Sequence, residues 1–190
     1  MHLINNYLYL MLYIVILSTL NGGEGDMKIY KFSNKSSLVD WSVVDDGVMG
    51  GYSKGSLNIN SEGNGVFTGK ISLYNYGGFS SLRYDSKRIK ISPNDTLVLR
   101  INGDDKFYQI RVKHSQIDRH VYVKKVFIPD GWENIIIPLS DLYPSFRGRS
   151  LRMGNFNHNS LTEVGILIGN KKEENFKLII DSIFIKVHGT

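Results

Sequence analysis

The chain has 190 residues, of which 42% are hydrophobic and 22% charged, and these values are typical of a globular protein with one domain. It contains no cysteine, which excludes disulfides, thiolate metal sites, a cysteine nucleophile and lipidated cysteine. The first 26 residues contain two acids and no Lys or Arg, so residues 27–190 carry 23 basic and 16 acidic residues. These basic residues are scattered and accompany no nucleic-acid motif, so we expect a solvated basic surface and no nucleic-acid partner.

The N-terminal segment is strongly apolar. Residues 7–17 form an unbroken apolar run, shorter than the ~20 residues of a transmembrane helix but suited to the core of a secretory signal. No basic residue precedes the run, no A-x-A-like cleavage site follows it, and Met27 is an alternative start. We predict that residues 1–26 are a signal-like or disordered segment. The protein is then exported or membrane-proximal if this segment acts as a signal, and cytoplasmic otherwise.

From Met27 onwards, the pattern indicates strands. Apolar and polar residues alternate clearly over residues 96–101 and 107–113, and this period of two with β-branched and aromatic residues is typical of half-buried strands. About ten such runs, separated by turn residues, predict an all-β domain over residues 27–190, either a sandwich or a barrel. The run over residues 176–187 is long and apolar and should cross the middle of a sheet. Only residues 139–143 are expected to form a helical turn.

The sequence contains no constellation typical of an enzyme. None of the five histidines stands at metal-ligand spacing to another, and the nucleophile elbow, the P-loop and the dinucleotide-binding motif are all absent. Asp45 and Asp46 are adjacent, so on an extended segment their side chains point to opposite faces and cannot share one substrate bond. We therefore expect a protein that is not an enzyme and has no cofactor.

Two glycine-rich segments are candidate binding loops. In residues 41–51, two acids and three glycines follow a strand-like run, which indicates either a shaped functional loop or a plain turn with solvated acids. In residues 76–83, a Gly-Gly pair precedes an aromatic residue and two hydroxyls. This segment is either a binding loop beside an aromatic platform or a tight turn that enters the strand from Phe79.

A third segment, residues 144–149, places Arg147 and Arg149 on either side of a glycine. Two such guanidinium groups can present forked donors to a carboxylate or phosphate. Alternatively, they pair with Asp45, Asp46 or Asp141 and hold a loop in place.

Together these segments resemble the complex I intermediate-associated protein 30 family. The resemblance is carried first by Trp41-x-x-Val44-Asp45-Asp46-Gly47-Val48-Met49-Gly50-Gly51-x-Ser53 and by Gly77-Gly78-Phe79-Ser80-Ser81-x-Arg83. It continues through Gly65-x-Phe67-x-Gly69, Asn102-Gly103-Asp104 before Tyr108, Trp132 leading to Ile137-Pro138, Pro144-x-x-Arg147-Gly148-Arg149, Ile166-x-Ile168 and Phe176-x-Leu178. These matches run in order from about Lys28 to Val187 and cover nearly the whole domain.

The resemblance implies a jelly-roll β-sandwich similar to galactose-binding-like domains. Mitochondrial members of the family are assembly factors for respiratory complex I, which bind membrane-arm intermediates and catalyse no reaction. We therefore expect a monomeric, noncatalytic binding or assembly module that recognises a protein partner, such as an intermediate of a membrane complex, through its glycine-rich loops. The candidate binding residues are Trp41, Asp45, Asp46, Met49, Gly50, Gly51, Gly78, Phe79, Arg147 and Arg149.

Two alternatives remain open. A carbohydrate- or small-ligand-binding module would fit the sandwich and the aromatic content of 12%, although most of these rings should lie in the core or on the sheet surface. An oxidoreductase-linked role would require a separate partner chain. No metal site is expected apart from a single weak Ca²⁺ candidate, Asp181, because no run of oxygen ligands accompanies it.

Overall fold

The computed structural model describes residues 25–188, and thirteen β-strands account for most of them. The predicted signal-like segment lies outside these residues except for its last two, of which Asp26 already belongs to the first strand. The strands are β1 Asp26–Lys31, β2 Trp41–Asp45, β3 Lys54–Ile59, β4 Gly65–Ile71, β5 Ser80–Lys90, β6 Thr96–Gly103, β7 Lys106–Lys113, β8 Val121–Ile128, β9 Gly131–Pro138, β10 Tyr143–Phe146, β11 Arg149–Ser150, β12 Ser160–Ile168 and β13 Glu174–Lys186.

The strands form two antiparallel sheets. The first has the order β3-β4-β13-β6-β9, with β1 paired to the second half of β13 beyond the end of β4. The second has seven strands in the order β11-β10-β8-β7-β12-β5-β2. As predicted, the long apolar run near the C-terminal end of the domain is central to its sheet, since β13 pairs with β4, β6 and β1.

The core lies between the two sheets, and alternation along each strand decides which side chains enter it. In β13, Leu178 and Ile180 are buried before a bulge, and Ile183 and Ile185 are buried after it. The extra residue of the bulge is Asp181, which moves the inward positions from even to odd numbers. Alternation also places side chains on the outer side of the seven-stranded sheet, which points away from the first sheet. We call this side the open face.

The predicted all-β sandwich is confirmed, with more strands than the ten expected because short strands such as β10 and β11 lack a clear alternating pattern. The expected helical turn is a 3₁₀ turn at Leu139–Asp141. Two further 3₁₀ turns are present: Asp46–Met49 lies in the first glycine-rich segment, and Tyr74–Tyr76 leads into the second. None of the helical segments between residues 25 and 188 is long and apolar enough to span a membrane.

Candidate functional site: the two glycine-rich loops

Asp46 connects the two glycine-rich loops, residues 46–53 and residues 72–79. It follows the last residue of β2, and its side chain is fully buried. Its carboxylate accepts hydrogen bonds from the backbone N–H and hydroxyl of Ser53 in the first loop. It also accepts bonds from the backbone N–H groups of Gly78 and Phe79 in the second loop. One buried carboxylate therefore holds together two loops that are separated by 18 residues of sequence, residues 54–71.

These donors decide the ionisation of Asp46. Burial by itself would raise the pKa of its carboxyl, but the hydrogen bonds from Ser53, Gly78 and Phe79 outweigh that effect and hold the pKa below its usual range. The carboxylate is thus kept charged inside the protein by neutral donors. This arrangement is typical of a group that fixes loop geometry, because all of its acceptor capacity is directed at the chain itself.

Asp45 and Ser53 extend the same network. The Asp45 carboxylate accepts hydrogen bonds from the Ser80 hydroxyl at 2.6 Å and the Gly55 backbone N–H at 3.1 Å. The Ser53 hydroxyl accepts a hydrogen bond from the Ser72 backbone N–H at 3.0 Å. The two acids point to different partners, as the divergence of adjacent side chains predicts, and both hold loops or strands in place.

Glycine is required where the loops approach the Asp46 carboxylate. A Cβ on Gly51 would overlap that carboxylate, and a Cβ on Gly77 would lie 2.6 Å from its Oδ2 atom. Gly50 ends the first 3₁₀ turn with a φ of 87°, which only glycine adopts freely. Of the three glycines predicted as binding residues, Gly51 lets the backbone close around Asp46, Gly78 donates its N–H to the carboxylate, and Gly50 ends the turn.

The loops present an exposed apolar surface, which we call the loop patch: Met49, Tyr52, Leu73, Tyr74 and Tyr76. The rings of Tyr52 and Tyr74, one from each loop, lie 5.1 Å apart in an edge-to-face arrangement. Tyr76 is 100% exposed, and its φ of 58° is unfavourable for a residue with a side chain. The Asn75 side-chain amide donates a hydrogen bond to the Gly50 carbonyl, which adds a second link between the loops.

The two aromatic candidates, Trp41 and Phe79, are not part of this patch. Trp41 is half-buried in a cluster with Tyr30, Phe32 and Tyr84, with ring centroids 4.9–5.1 Å from its own. This cluster closes the edge of the core between β1 and β5. Phe79 is half-buried beside Gly169, and its backbone rather than its ring is engaged by Asp46.

Arg147 and Arg149 are not brought to the acids. Arg147 follows β10 and Arg149 begins β11, at one edge of the seven-stranded sheet. Asp45 ends β2 at the other edge. Five strand spacings separate β10 from β2, about 24 Å. Asp141 pairs with Lys124 at 3.0 Å. Of the two alternatives for these arginines, pairing with Asp45, Asp46 or Asp141 is therefore not what the structure shows, and both arginines are exposed.

Asp181, the weak calcium candidate, is occupied by protein groups. Its carboxylate contacts the Lys31 ammonium group and accepts a hydrogen bond from the Ser182 hydroxyl. Within residues 25–188, no group of three or more His, Asp or Glu side chains is arranged to hold a metal ion.

The model of the complex I intermediate-associated protein 30 family matches residues 30–180. The chain belongs to this family. The match includes both glycine-rich loops of this family member, all strands from β2 to β12 and most of β13. The search of curated protein sequences found no relative.

Among solved structures, the family member is similar to the family 11 carbohydrate-binding module of the cellulosomal cellulase Lic26A-Cel5E of Clostridium thermocellum. The identity is 13% and the TM-score 0.65, over 86% of this chain and 95% of that module. A structure of the Clostridium thermocellum family 11 module in complex with a β-1,3-1,4-mixed-linked tetrasaccharide gives 15% identity and a TM-score of 0.64, over 86% and 96% of the two chains. An exo-β-agarase gives 11% identity and a TM-score of 0.57, over 86% of this chain and 25% of the enzyme. At such identities the likeness establishes the shared β-sandwich fold alone.

Sequence reasoning found the acids and glycines that build the loops but missed most of the surface that they present. Of the loop patch, only Met49 was a candidate, whereas Tyr52, Leu73, Tyr74 and Tyr76 were not. For the three tyrosines, the available signal was a position outside any alternating run and within three residues of a glycine. Strand alternation directs side chains into the core, so a ring outside any strand is expected to be exposed.

Proposed function

We propose that this family member is a noncatalytic binding module and that its loop patch contacts a protein partner. The observation that carries the proposal is the buried Asp46 carboxylate, which holds both loops and so fixes the rings above them. Its family is described as complex I intermediate-associated, and this supports a partner among the assembly intermediates of a membrane complex.

The composition of the loop patch supports a protein partner. Tyrosine and methionine are enriched in the buried centres of protein interfaces, where a few aromatic anchors carry most of the binding energy. Tyr74 and Tyr76 are 64% and 100% exposed, so both rings are free to enter a partner's pocket. Because Asp46 already orders the loops, association would cost less conformational entropy than with mobile loops.

Site-specific photo-crosslinking in the native cell tests the proposal. A photoreactive phenylalanine analogue at Tyr76 should give one dominant crosslinked protein, and the same analogue at Ile117 should not. Ile117 is a matched control because it is 91% exposed and lies in the β7–β8 loop, at the end of the sheet opposite the loop patch.

The crosslinked protein is then purified and its affinity for the chain is measured directly. A Tyr74→Ser/Tyr76→Ser variant should bind it at least ~30-fold more weakly, since two anchors of ~1 kcal/mol or more each are removed. An Ile117→Ser variant should bind as the original chain does. Equal crosslinking at positions 76 and 117, or unchanged affinity of the double variant, would refute the proposal.

A second candidate function is carbohydrate binding on the open face. It is favoured by Phe107 and Phe127, which are each 47% exposed and whose rings lie 5.4 Å apart across β7 and β8. Exposed aromatic faces pack well against the apolar faces of sugar rings. Calorimetric titration with neutral and acidic oligosaccharides tests this candidate, and a Phe107→Ser variant should lose any binding observed.

A further inference from the structure

Two arginines lie side by side in the middle of the open face. The strand register aligns Arg83 of β5, Gly165 of β12 and Arg111 of β7 in one row across three neighbouring strands. A Cβ on Gly165 would lie 3.8 Å from side-chain carbons of both arginines. Gly165 has no side chain and is itself buried, so the side chains of the two arginines cover its backbone and form the surface of this row.

These arginines have unused hydrogen-bonding capacity. The Arg111 Nε atom is buried and has no hydrogen-bond partner among residues 25–188. Within the part of the chain that the structure describes, no carboxylate oxygen lies within 4.0 Å of a nitrogen of Arg83 or Arg111. A guanidinium group has five N–H donors and does not lose its proton at physiological pH. A buried N–H donor without an acceptor therefore lowers the stability of the folded state. The row therefore lacks an acceptor.

The neighbouring row compensates this charge only in part. It contains Asp85, Glu163 and Lys113, again on β5, β12 and β7. Glu163 is only 7% exposed, and burial raises the pKa of its carboxyl even though Arg83, Lys113 and Arg111 act in the opposite direction. The pKa of Arg111 is lowered by burial and by the nearby charge of Arg83. The two arginines thus repel each other in a partly desolvated site.

We propose that Arg83 and Arg111 together bind the anionic group of an acidic oligosaccharide that lies across the open face. The proposal rests on the second candidate function, sugar binding on this face, and narrows it to sugars that carry a carboxylate or a sulfate. The forked donors of two adjacent guanidinium groups match the oxygen geometry of such anions.

The rest of the face favours a saccharide over an acidic peptide. Strands β5, β12 and β7 are paired on both sides, so no backbone group there can receive a peptide as an additional strand. Binding must then use side chains alone. Phe107 lies four residues from Arg111 along β7, about 13 Å away, and presents a ring that suits a sugar face. The Lys125 ammonium group lies over one face of that ring, 4.7 Å from its centroid, so it covers this face and adds positive charge beside the other.

Calorimetric titration with matched sugars tests the proposal. Tetragalacturonate should bind at least ~10-fold more tightly than its fully methyl-esterified form, because one charge-assisted pair is worth 1.4 kcal/mol or more. A sulfated tetrasaccharide distinguishes the two anionic groups, and oligoglutamate of equal charge represents the acidic peptide. Affinity for the acidic sugar should fall as salt is raised.

Three variants locate the site. Arg83→Gln should weaken tetragalacturonate binding at least ~10-fold, whereas Arg100→Gln should not. Arg100 is a matched control because it stacks on Trp132 in the other sheet and its loss changes the net charge equally. Glu163→Gln should strengthen binding, since it removes the negative charge nearest the arginines while keeping the shape of the side chain.

Each alternative outcome is informative. Equal binding of the ester and the acid would leave a neutral-sugar site and refute the role of the arginines. Tighter binding of oligoglutamate than of either acidic sugar would refute the saccharide. Absence of binding by every probe would refute both the second candidate function and this inference, without bearing on the crosslinking result at Tyr76. A gain of affinity in Glu163→Gln cannot arise from misfolding. It would therefore show that the loss of the negative charge, and not a change in stability, alters binding.

Discussion

At the scale of single residues, the most consequential group is the Asp46 carboxylate. It is a buried charge that no cationic side chain of residues 25–188 pairs with, and it is stabilised by backbone and hydroxyl donors from two loops. Such a group contributes strongly because its removal leaves several buried donors without acceptors at once. It also makes the order of the loops depend on the ionisation of one side chain.

We expect Asp46→Asn to lower the free energy of unfolding by about 2–4 kcal/mol, since an amide replaces one acceptor oxygen with a donor that faces other donors. Urea unfolding followed by circular dichroism measures this loss. The exposed Glu173→Gln serves as the control and should change stability by less than ~0.5 kcal/mol. A loss no larger than that of the control would show that the carboxylate does not hold the loops.

The same residue predicts a pH dependence. Because the folded pKa of Asp46 lies below its ordinary value of 3.8, its contribution is fully present above that value. The contribution is lost as the pH falls through the lower, folded pKa. The difference in unfolding free energy between the original chain and Asp46→Asn should therefore be constant near neutral pH and shrink below pH ~4. A difference that shrinks between pH 7 and 5 would contradict this assignment.

At the scale of elements, the loop that joins β4 to β5 carries backbone strain beside its exposed rings. Asn75 and Tyr76 both have positive φ, 52° and 58°, and the left-handed conformation costs a residue with a side chain roughly 1–2 kcal/mol. The loop keeps this conformation although it buries none of the residues in its 3₁₀ turn. Strain that gains no burial is characteristic of binding segments.

We expect Tyr76→Gly to leave the free energy of unfolding unchanged or to raise it by up to ~1 kcal/mol, because glycine adopts positive φ without strain. Tyr74→Gly, two residues earlier in the same turn and without a positive φ, should lower it by about 0.5–1 kcal/mol. Thermal unfolding of the two variants gives the comparison. Equal destabilisation by both would mean that the position is not strained.

Local patterns predicted the elements well, but not the way in which they meet. Alternation located the strands, and the acids and glycines marked the loops. The contact between Asp46 and Gly78 depends on the register of β2 against β5, which no local pattern specifies. The row formed by Arg83 and Arg111 requires β12 to lie between β5 and β7, although it follows both by more than 45 residues. The bulge at Thr162 also shifts which residues of β12 face outwards. The position of the loop tyrosines outside any alternating run is a local signal, but the contact between Tyr52 and Tyr74 of the two loops follows only from the assembled fold.

At the scale of the whole molecule, the two proposed sites are carried by different parts of the sandwich. The loop patch lies at the end where β2 and β4 terminate, and the arginine row lies in the middle of the open face. The two sets of residues do not overlap. The sandwich between them provides a rigid support, since both sheets contribute to one continuous core.

We expect hydrogen exchange to divide the strands by their position in the sheets. Amides of β13, β12 and β7, which are paired on both sides, should exchange only through global unfolding. Amides of β11, a two-residue strand at a sheet edge, should exchange through local opening with protection several orders of magnitude lower. Mass-spectrometric exchange at the peptide level resolves these strands. Equal protection of β11 and β13 would contradict the proposed edge.

The position of β13 also bears on how the protein is made. Strands β1, β4 and β6 all pair with β13, which follows them by at least 70 residues along the chain. During synthesis from the N-terminus, the backbone groups of these three strands that pair with β13 stay unpaired until Glu174–Lys186 leaves the ribosome. Exposed strand edges are prone to pair with other chains, and contacts between distant residues form slowly. Translation that stalls before β13 should therefore yield nascent chains that depend on chaperones for their solubility.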